Sequence, residues 1–214
     1  MNKVILNGVD LSIEDVVKVA REGYQVEIDA ACMARIAEVR EYMEREWMRE
    51  DAPAVYGFNT GLGKHKDCKV SIKESDLHQY RTVLSHCGGV GEAAPEDVVR
   101  AAMCVRLNAF CRGVSGLRPA VVERLVELLN KGVHPVVPWQ GSVGACGDLA
   151  PLAHMTLPML GKGQAYYKGE LMSGADAMAK AGIATLDTLV CKEGLGMTNG
   201  TCAMTSVGSL ALYD

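Results

Sequence analysis

The chain has 214 residues, of which 49% are hydrophobic, 22% charged and only 5% aromatic, enough for one large domain or two small ones with a sizeable core. A core so poor in aromatic residues must be built from Ala, Val, Leu and Met, which suits packed helices better than a sandwich of strands. The net charge of −4, with no long basic run, argues against nucleic-acid binding, and no apolar run is long enough to span a membrane.

The eight cysteines are scattered along the chain and form no C-x-x-C pair, and the five histidines do not fall at zinc-binding spacings. The first residues, MNKVILNGVDLS, lack the apolar stretch of a secretory signal. We therefore expect a cytoplasmic protein with reduced thiols and no bound metal.

The N-terminal part predicts a small mixed α+β region. Residues 4–8 and 24–29 are candidate strands. Ser12 and Asp15 have the spacing of a capping box, which opens a helix that Gly23 should end. A long amphipathic helix follows over residues 30–50.

The middle of the chain predicts three helices after a glycine-punctuated loop over residues 52–67. Ser71 and Glu74 form a second capping box, and that helix should continue to about Cys87. Pro95 and Pro119 each stand at a plausible first helical position. The corresponding helices cover about residues 95–113 and 119–132.

The last third begins with residues 135–147, PVVPWQGSVGACG, whose prolines and glycines exclude a helix. Residues 164–172 predict a small hairpin that turns at Lys168 and Gly169. A final helix should begin near Gly200. It runs to Asp214 with no glycine cap, proline or basic last turn, which predicts that it continues or is covered by another chain.

The stretch 141–154, GSVGACGDLAPLAH, holds the residues with the most suggestive chemistry. Gly147 lacks a side chain, so its nitrogen can approach a neighbouring carbonyl, and Cys146 carries a heteroatom on Cβ that can be eliminated. Asp148 is a good residue for the N-terminus of the helix that follows. Two other interpretations stay open: Cys146 as a small buried hydrophobe, or as a thiolate activated by His86 or His154. His154 by itself is more typical of a packed or capping residue.

This stretch resembles the signature of the histidine and aromatic amino-acid ammonia-lyases. Four further segments resemble the family in the same order, so that the resemblance covers nearly the whole chain; they are YGFNTGLG (56–63), LSH before GGVGE (84–92), RLNAFCRGVSGLRP (106–119) and KEGLGMTNGT (192–201). The resemblance implies a mainly helical fold in which the mixed N-terminal region leads into a helical core of the ammonia-lyase type.

The resemblance also implies a prosthetic group made from the chain itself, 4-methylidene-imidazole-5-one (MIO). In the family an Ala-Ser-Gly triplet cyclises to this electrophile; here the matching residues are Ala145, Cys146 and Gly147. The nitrogen of Gly147 would attack the carbonyl of Ala145, and residue 146 would lose its side-chain leaving group. With Cys in place of Ser, hydrogen sulfide leaves instead of water.

Three further site residues follow from the resemblance. Tyr56 matches the tyrosine that acts as a base near the β-carbon or amine of the substrate. Asn199 matches the asparagine that hydrogen-bonds the MIO ring or the substrate carboxylate. His86, preceded by Ser85, matches the histidine-lyase pattern at the selectivity position, which favours an imidazole substrate. Cys202 departs from the Gln that many members carry there.

Family members are much longer and form tetramers whose active sites draw on several subunits. We therefore expect residues 1–214 to be the N-terminal part of a lyase, to self-associate, to need a C-terminal part that a separate chain could supply, and to be inactive alone. The expected reaction is elimination of ammonia from histidine to give urocanate. The alternatives are a non-catalytic remnant or assembly subunit of the same fold, and an aminomutase that uses the same MIO.

Overall fold

The computed structural model describes residues 2–143 and 147–214. Within them the α-helices are α1 (Ile13–Arg21), α2 (Ala30–Trp47), α3 (Ile72–Ser85), α4 (Glu96–Phe110), α5 (Pro119–Lys131), α6 (Leu149–Thr156), α7 (Gly174–Lys180), α8 (Glu193–Thr198) and α9 (Cys202–Tyr213). The strands are β1 (Lys3–Leu6), β2 (Gln25–Ile28), β3 (Val90–Ala93), β4 (Val133–Pro135), β5 (Pro138–Gln140), β6 (Gln164–Tyr167) and β7 (Glu170–Ser173), and 3-10 turns occupy Gly63–His65 and Leu157–Leu160. The prediction of a mainly helical fold is confirmed.

The N-terminal region is the predicted mixture of strand and helix. Strands β1 and β2 pair in parallel from Lys3↔Gln25 to Leu6↔Ile28, with α1 between them in sequence. The hydroxyl of Ser12 accepts a hydrogen bond from the Asp15 amide at 3.1 Å, which satisfies one of the free amides in the first turn of α1.

Two helix starts differ from the capping chemistry that the sequence predicts. The hydroxyl of Ser71 donates to the Glu74 carboxylate at 3.1 Å and makes no hydrogen bond to a backbone amide of α3. Pro95 precedes α4 as its cap residue, with an extended ψ of 148°. At α5 the prediction is confirmed, because Pro119 is the first helical residue and Gly132 ends the helix in the left-handed conformation at φ 73°.

Residues 135–147 contain no helix in their described part, as predicted, but they contribute to two small sheets. Strand β5 pairs antiparallel with β3, which the sequence pattern did not reveal. Strand β4 pairs with β6, and β6 pairs with β7 in the predicted hairpin. Lys168 and Gly169 form its turn with φ of 52° and 79°.

The core surrounds α4, whose Met103, Leu107 and Phe110 are almost fully buried. This helix packs against α1, α5 and α9. Because α9 lies along α4, the segment immediately before α9 is held against the core. That segment contains Asn199.

The thiols and charged groups of the described part carry no cross-link or metal cluster. Every cysteine outside the segment 144–146 is a free thiol. Burial raises the pKa of Cys87 to about 11 and that of Cys104 to about 12, so these thiols are neutral at physiological pH. In residues 2–143 and 147–214, no three His, Cys, Asp or Glu side chains are grouped to hold a metal, and no helix is long and apolar enough to cross a membrane.

Candidate functional site

The glycine-rich loop before α6 has closely apposed ends. The amide of Val143 donates to the carbonyl of Gly147 at 3.2 Å. At the start of the loop, a Cβ on Gly141 would lie 3.2 Å from the Cα of Gly89, which is closer than a side chain normally packs. Ala145 and Cys146 lie outside the described residues, so their predicted roles stay predictions.

Asp148 connects this loop to the first turn of α9. Its side chain is fully buried. One carboxylate oxygen accepts from the Ser142 hydroxyl at 2.6 Å, and the other accepts from the Met204 amide at 2.8 Å. Asp148 stands at the N-terminus of α6, as predicted, but its side chain makes no capping bond to that helix. Its carboxylate instead satisfies a free amide at the start of α9.

Asn199 lies in the short connection between α8 and α9. Its amide donates to the carbonyl of Leu195 at 2.9 Å and so closes the last turn of α8. The residue itself is exposed and adopts an extended conformation. The bond between Asp148 and Met204, five residues further along, ties this connection to the glycine-rich loop.

His86 ends α3 and has a defined tautomer. Its Nδ1 lies 2.6 Å from the carbonyl of Thr82, which can only accept, so Nδ1 carries a proton and Nε2 is the acceptor in the neutral ring. Three residues later the amide of Gly89 donates to Nε2 of His154 on α6 at 3.2 Å. Burial lowers the pKa of His154, which keeps this ring neutral as an acceptor. The described contacts of His154 match the packed or capping role.

Tyr56 is half-exposed, and its phenol faces the Gly63–His65 turn. The amide of Gly63 donates to Oη at 3.2 Å. Lys192 approaches from α8: its Nζ donates to the Tyr56 carbonyl at 2.9 Å and lies 5.8 Å from the centre of the ring. Burial lowers the pKa of Lys192. Lys192 begins the KEGLGMTNGT segment, but no local pattern in the sequence pairs it with Tyr56, so this contact is visible only in the structure.

Gln79 joins the Tyr56 loop to α8, which no local pattern in the sequence indicates either. From its buried position on α3, its Oε1 accepts from the Gly194 amide at 2.8 Å and its Nε2 donates to the Gly57 carbonyl at 3.4 Å. Gly57 has a φ of +67°, and a Cβ there would collide with the Leu195 side chain. The loop and α8 therefore need both the glycine and the amide bridge to approach so closely.

The short helix α8 is the common neighbour of all these segments. Lys192 beside Tyr56 precedes it and Asn199 follows it, a span of about 9 Å for six helical residues. Helices α3 and α6 both pack against α8 and against each other, and they carry His86 and the glycine-rich loop. The structure thus gathers the segments of Tyr56, His86, Gly147 and Asn199 around one buried helix.

A helical chain with this arrangement belongs, by its fold, with lyases and aminomutases that act on amino acids. The crystal structure of tyrosine aminomutase from Streptomyces globisporus matches it with a TM-score of 0.91 and 36% identity, over 99% of this chain and 39% of that one. Histidine ammonia-lyase from Trypanosoma cruzi matches with a TM-score of 0.89 and 30% identity, over 99% of this chain and 40% of that one.

The sequence defines the family. Residues 11–214 match the aromatic amino acid lyase family, and the chain belongs to it. Histidine ammonia-lyase of Alkaliphilus metalliredigens is 47% identical over all 214 residues, and that of Caldanaerobacter subterraneus is 48% identical, each being covered over 42% of its own length. The chain therefore spans about two fifths of the length of these relatives.

Proposed function

We propose that residues 1–214 are the N-terminal part of a histidine ammonia-lyase, which eliminates ammonia from histidine to give urocanate in the cytoplasm. The observation that carries this proposal is the 47–48% identity to histidine ammonia-lyases along the entire chain. The tautomer of His86 supports the choice of substrate. Its Nε2 is left as an acceptor in the neutral ring, which suits an imidazole N–H of the substrate as donor.

The proposed prosthetic group is MIO, formed from Ala145, Cys146 and Gly147. The nitrogen of Gly147 bonds to the carbonyl carbon of Ala145 and water leaves; Cys146 then loses its Cα proton and its sulfur as hydrogen sulfide. The described flanks fit such a ring closure, because the bond from Val143 to Gly147 holds the two ends of the loop together. Bound in this way, the group supplies the electron sink that an amino-acid substrate lacks.

The remaining residues act on the substrate through groups whose environment is described. The Oη of Tyr56 accepts from the Gly63 amide, which holds the phenol in place. As the proposed base, Tyr56 gives up its own proton to solvent and then takes one from the β-carbon or amine of the substrate. Lys192 holds the backbone of Tyr56 in place. Asn199 contributes a hydrogen bond to the MIO ring or to the substrate carboxylate.

The proposed enzyme needs more chain than these residues. Because the relatives are covered over only 42% of their length, we propose that the other part of the lyase, in the same polypeptide or a separate one, completes the site, and that copies of the chain associate. Residues 1–214 alone are then inactive.

The test compares two substitutions of Cys146 in the assembled enzyme, with urocanate formation from histidine as the readout. Cys146→Ser keeps a leaving group on Cβ and is expected to stay active, whereas Cys146→Ala has none and is expected to lose nearly all activity. A Cys146→Ala enzyme as active as the parent, or strong urocanate production by residues 1–214 alone, contradicts the proposal.

An aminomutase is the second candidate, because tyrosine aminomutase structures match at TM-scores of 0.90 and 0.91. The products distinguish the two: a lyase releases ammonia and an unsaturated acid, whereas an aminomutase returns a β-amino acid. The third candidate, a remnant or assembly subunit without chemistry, predicts that Cys146 keeps an alkylatable thiol even when every partner is present.

A further inference from the structure

Arg106, on α4, is a buried cation that pairs with no carboxylate in the described part of the chain. Only 5% of its surface is exposed, and burial is the first cause of its lowered pKa. Its guanidinium carbon lies 4.7 Å from the centre of the Phe110 ring, and its Nε has no hydrogen-bond partner among residues 2–143 and 147–214. Burying a charge without an opposite charge beside it is costly. The guanidinium therefore needs a specific reason to be there.

The guanidinium contacts both flanks of Asn199. Its Nη2 donates to the carbonyl of Gly196, three residues before Asn199. Its Nη1 lies 3.7 Å from the sulfur of Cys202, three residues after Asn199. Between them, a Cβ added to Gly200 would collide with Nη1. The side chain of Arg106 thus fills the space beneath the turn from α8 to α9.

Arg106 packs against Cys202 and makes at most a weak hydrogen bond to its sulfur. Burial raises the pKa of this thiol more than Arg106 lowers it, so the sulfur is neutral at physiological pH. The bond to the Gly196 carbonyl is the strong anchor, since a charged donor to a backbone acceptor is worth more than a neutral pair.

We propose that Arg106 is a positioning residue that fixes the turn 199–201 and thereby the side chain of Asn199. The role of Asn199 in catalysis rests on the proposed function; the fixing of the turn does not. Arginine suits this position because its planar fork reaches two partners at once, whereas the single ammonium of a lysine reaches one.

Hydrogen exchange of the full 214-residue chain tests the proposal without an enzyme assay. In Arg106→Met we expect the amides of residues 199–204 to exchange about tenfold faster, the equivalent of about 1.4 kcal/mol, since an anchored carbonyl loses its donor. Arg106→Lys is expected to show a smaller increase and covers the case in which Arg106→Met fails to fold. Arg112→Met, an exposed arginine just after α4, is the matched control and should change nothing.

Thiol alkylation, mapped by peptide, separates a local effect from loss of the fold. Cys202 should become more reactive in Arg106→Met, while Cys104, buried on the same helix, stays protected. Unchanged exchange at 199–204, or simultaneous exposure of both thiols, overturns the proposal.

Gly200→Ala tests the contact between Arg106 and Gly200 by a substitution in the turn. The added methyl should loosen the same amides in the parent chain and loosen them less in Arg106→Met, where the colliding atom is gone and only the backbone strain at a φ of +157° remains. Additive effects contradict the assigned contact.

In the assembled enzyme, Arg106→Met combined with Asn199→Ala should be no slower than Asn199→Ala alone. If the parent assembly makes no product, the proposed function fails, and the exchange result still decides the role of Arg106 in the turn.

Discussion

Replacing Asp148 should uncouple the glycine-rich loop from α9. The carboxylate is fully buried and accepts one bond from Ser142 and one from Met204, at 2.6 and 2.8 Å. Both lengths are typical of hydrogen bonds to an ionised acceptor. Asp148→Asn keeps the shape and one acceptor oxygen for the Met204 amide, but its NH2 group then faces the Ser142 hydroxyl, which must turn from donor to acceptor.

The expected cost follows from these two bonds. Hydrogen bonds to a charged group contribute about 1.5–3 kcal/mol each, so Asp148→Ala should lower the free energy of unfolding by about 3–6 kcal/mol. Asp148→Asn replaces two hydrogen bonds to a charged acceptor by two neutral ones, each weaker by about 1–1.5 kcal/mol, which gives about 2–3 kcal/mol. Small domains have only about 5–15 kcal/mol in total, so either change is large.

Urea denaturation followed by circular dichroism measures the free energy of unfolding. Hydrogen exchange at the Met204 amide shows whether the first turn of α9 opens more often. Asp187→Asn, an exposed aspartate before α8, is the control and should stay within about 0.5 kcal/mol of the parent. Ser142→Ala combined with Asp148→Asn should cost less than the sum of the two. If Asp148→Asn behaves like Asp187→Asn and the Met204 amide stays equally protected, Asp148 does not hold the glycine-rich loop to α9.

Three further predictions concern the segments around α8. His154 has a lowered pKa in the folded state, so the folded chain binds fewer protons than the unfolded chain. The free energy of unfolding should therefore be full above about pH 6.5 and fall as the pH drops below that value. His154→Gln should flatten this part of the curve of urea midpoint against pH. Glu193 is fully buried and accepts from the Arg118 side chain at 2.8 Å, so Glu193→Gln should cost about 2–4 kcal/mol in urea denaturation, and a neutral result would show that the pair contributes nothing. Gly57→Ala should cost about 1–3 kcal/mol, because a positive φ and the Leu195 side chain both oppose a Cβ, and an unchanged melting temperature would contradict that collision.

The elements that the sequence predicts well are those whose signals are local. Ser12 caps α1 through an amide three residues away, Pro119 and Gly132 bound α5, and the Lys168 turn joins two adjacent strands. Each of these choices is made within a few residues, where capping and turn chemistry dominate.

The elements that it misses depend on distant contacts. Strand β3 is exposed along its length and gains its partner from β5, some 45 residues later. Helix α8 contains two glycines, which disfavour a helix, yet it forms because Gly194 and Gly196 allow it to lie against Gln79 and Leu117. Packing therefore overrides helix propensity at the element around which the site is built.

The same division applies to the candidate site. Tyr56, His86 and Asn199 are predicted as site residues because each lies in a recognisable segment. Lys192, Gln79 and Arg106 were not assigned roles, since their partners lie 136, 115 and 90 residues away in sequence. The sequence also placed Asp148 at a helix start but did not indicate that its carboxylate reaches α9.

The proposed chemistry depends on the closure of residues 145–147 into an electron acceptor, which intact mass spectrometry of the assembled enzyme can detect. Closure gives a polypeptide lighter than its encoded mass by one water and one hydrogen sulfide, and lighter by two waters in Cys146→Ser. The encoded mass, with an alkylatable thiol at Cys146 in the complete assembly, would contradict it.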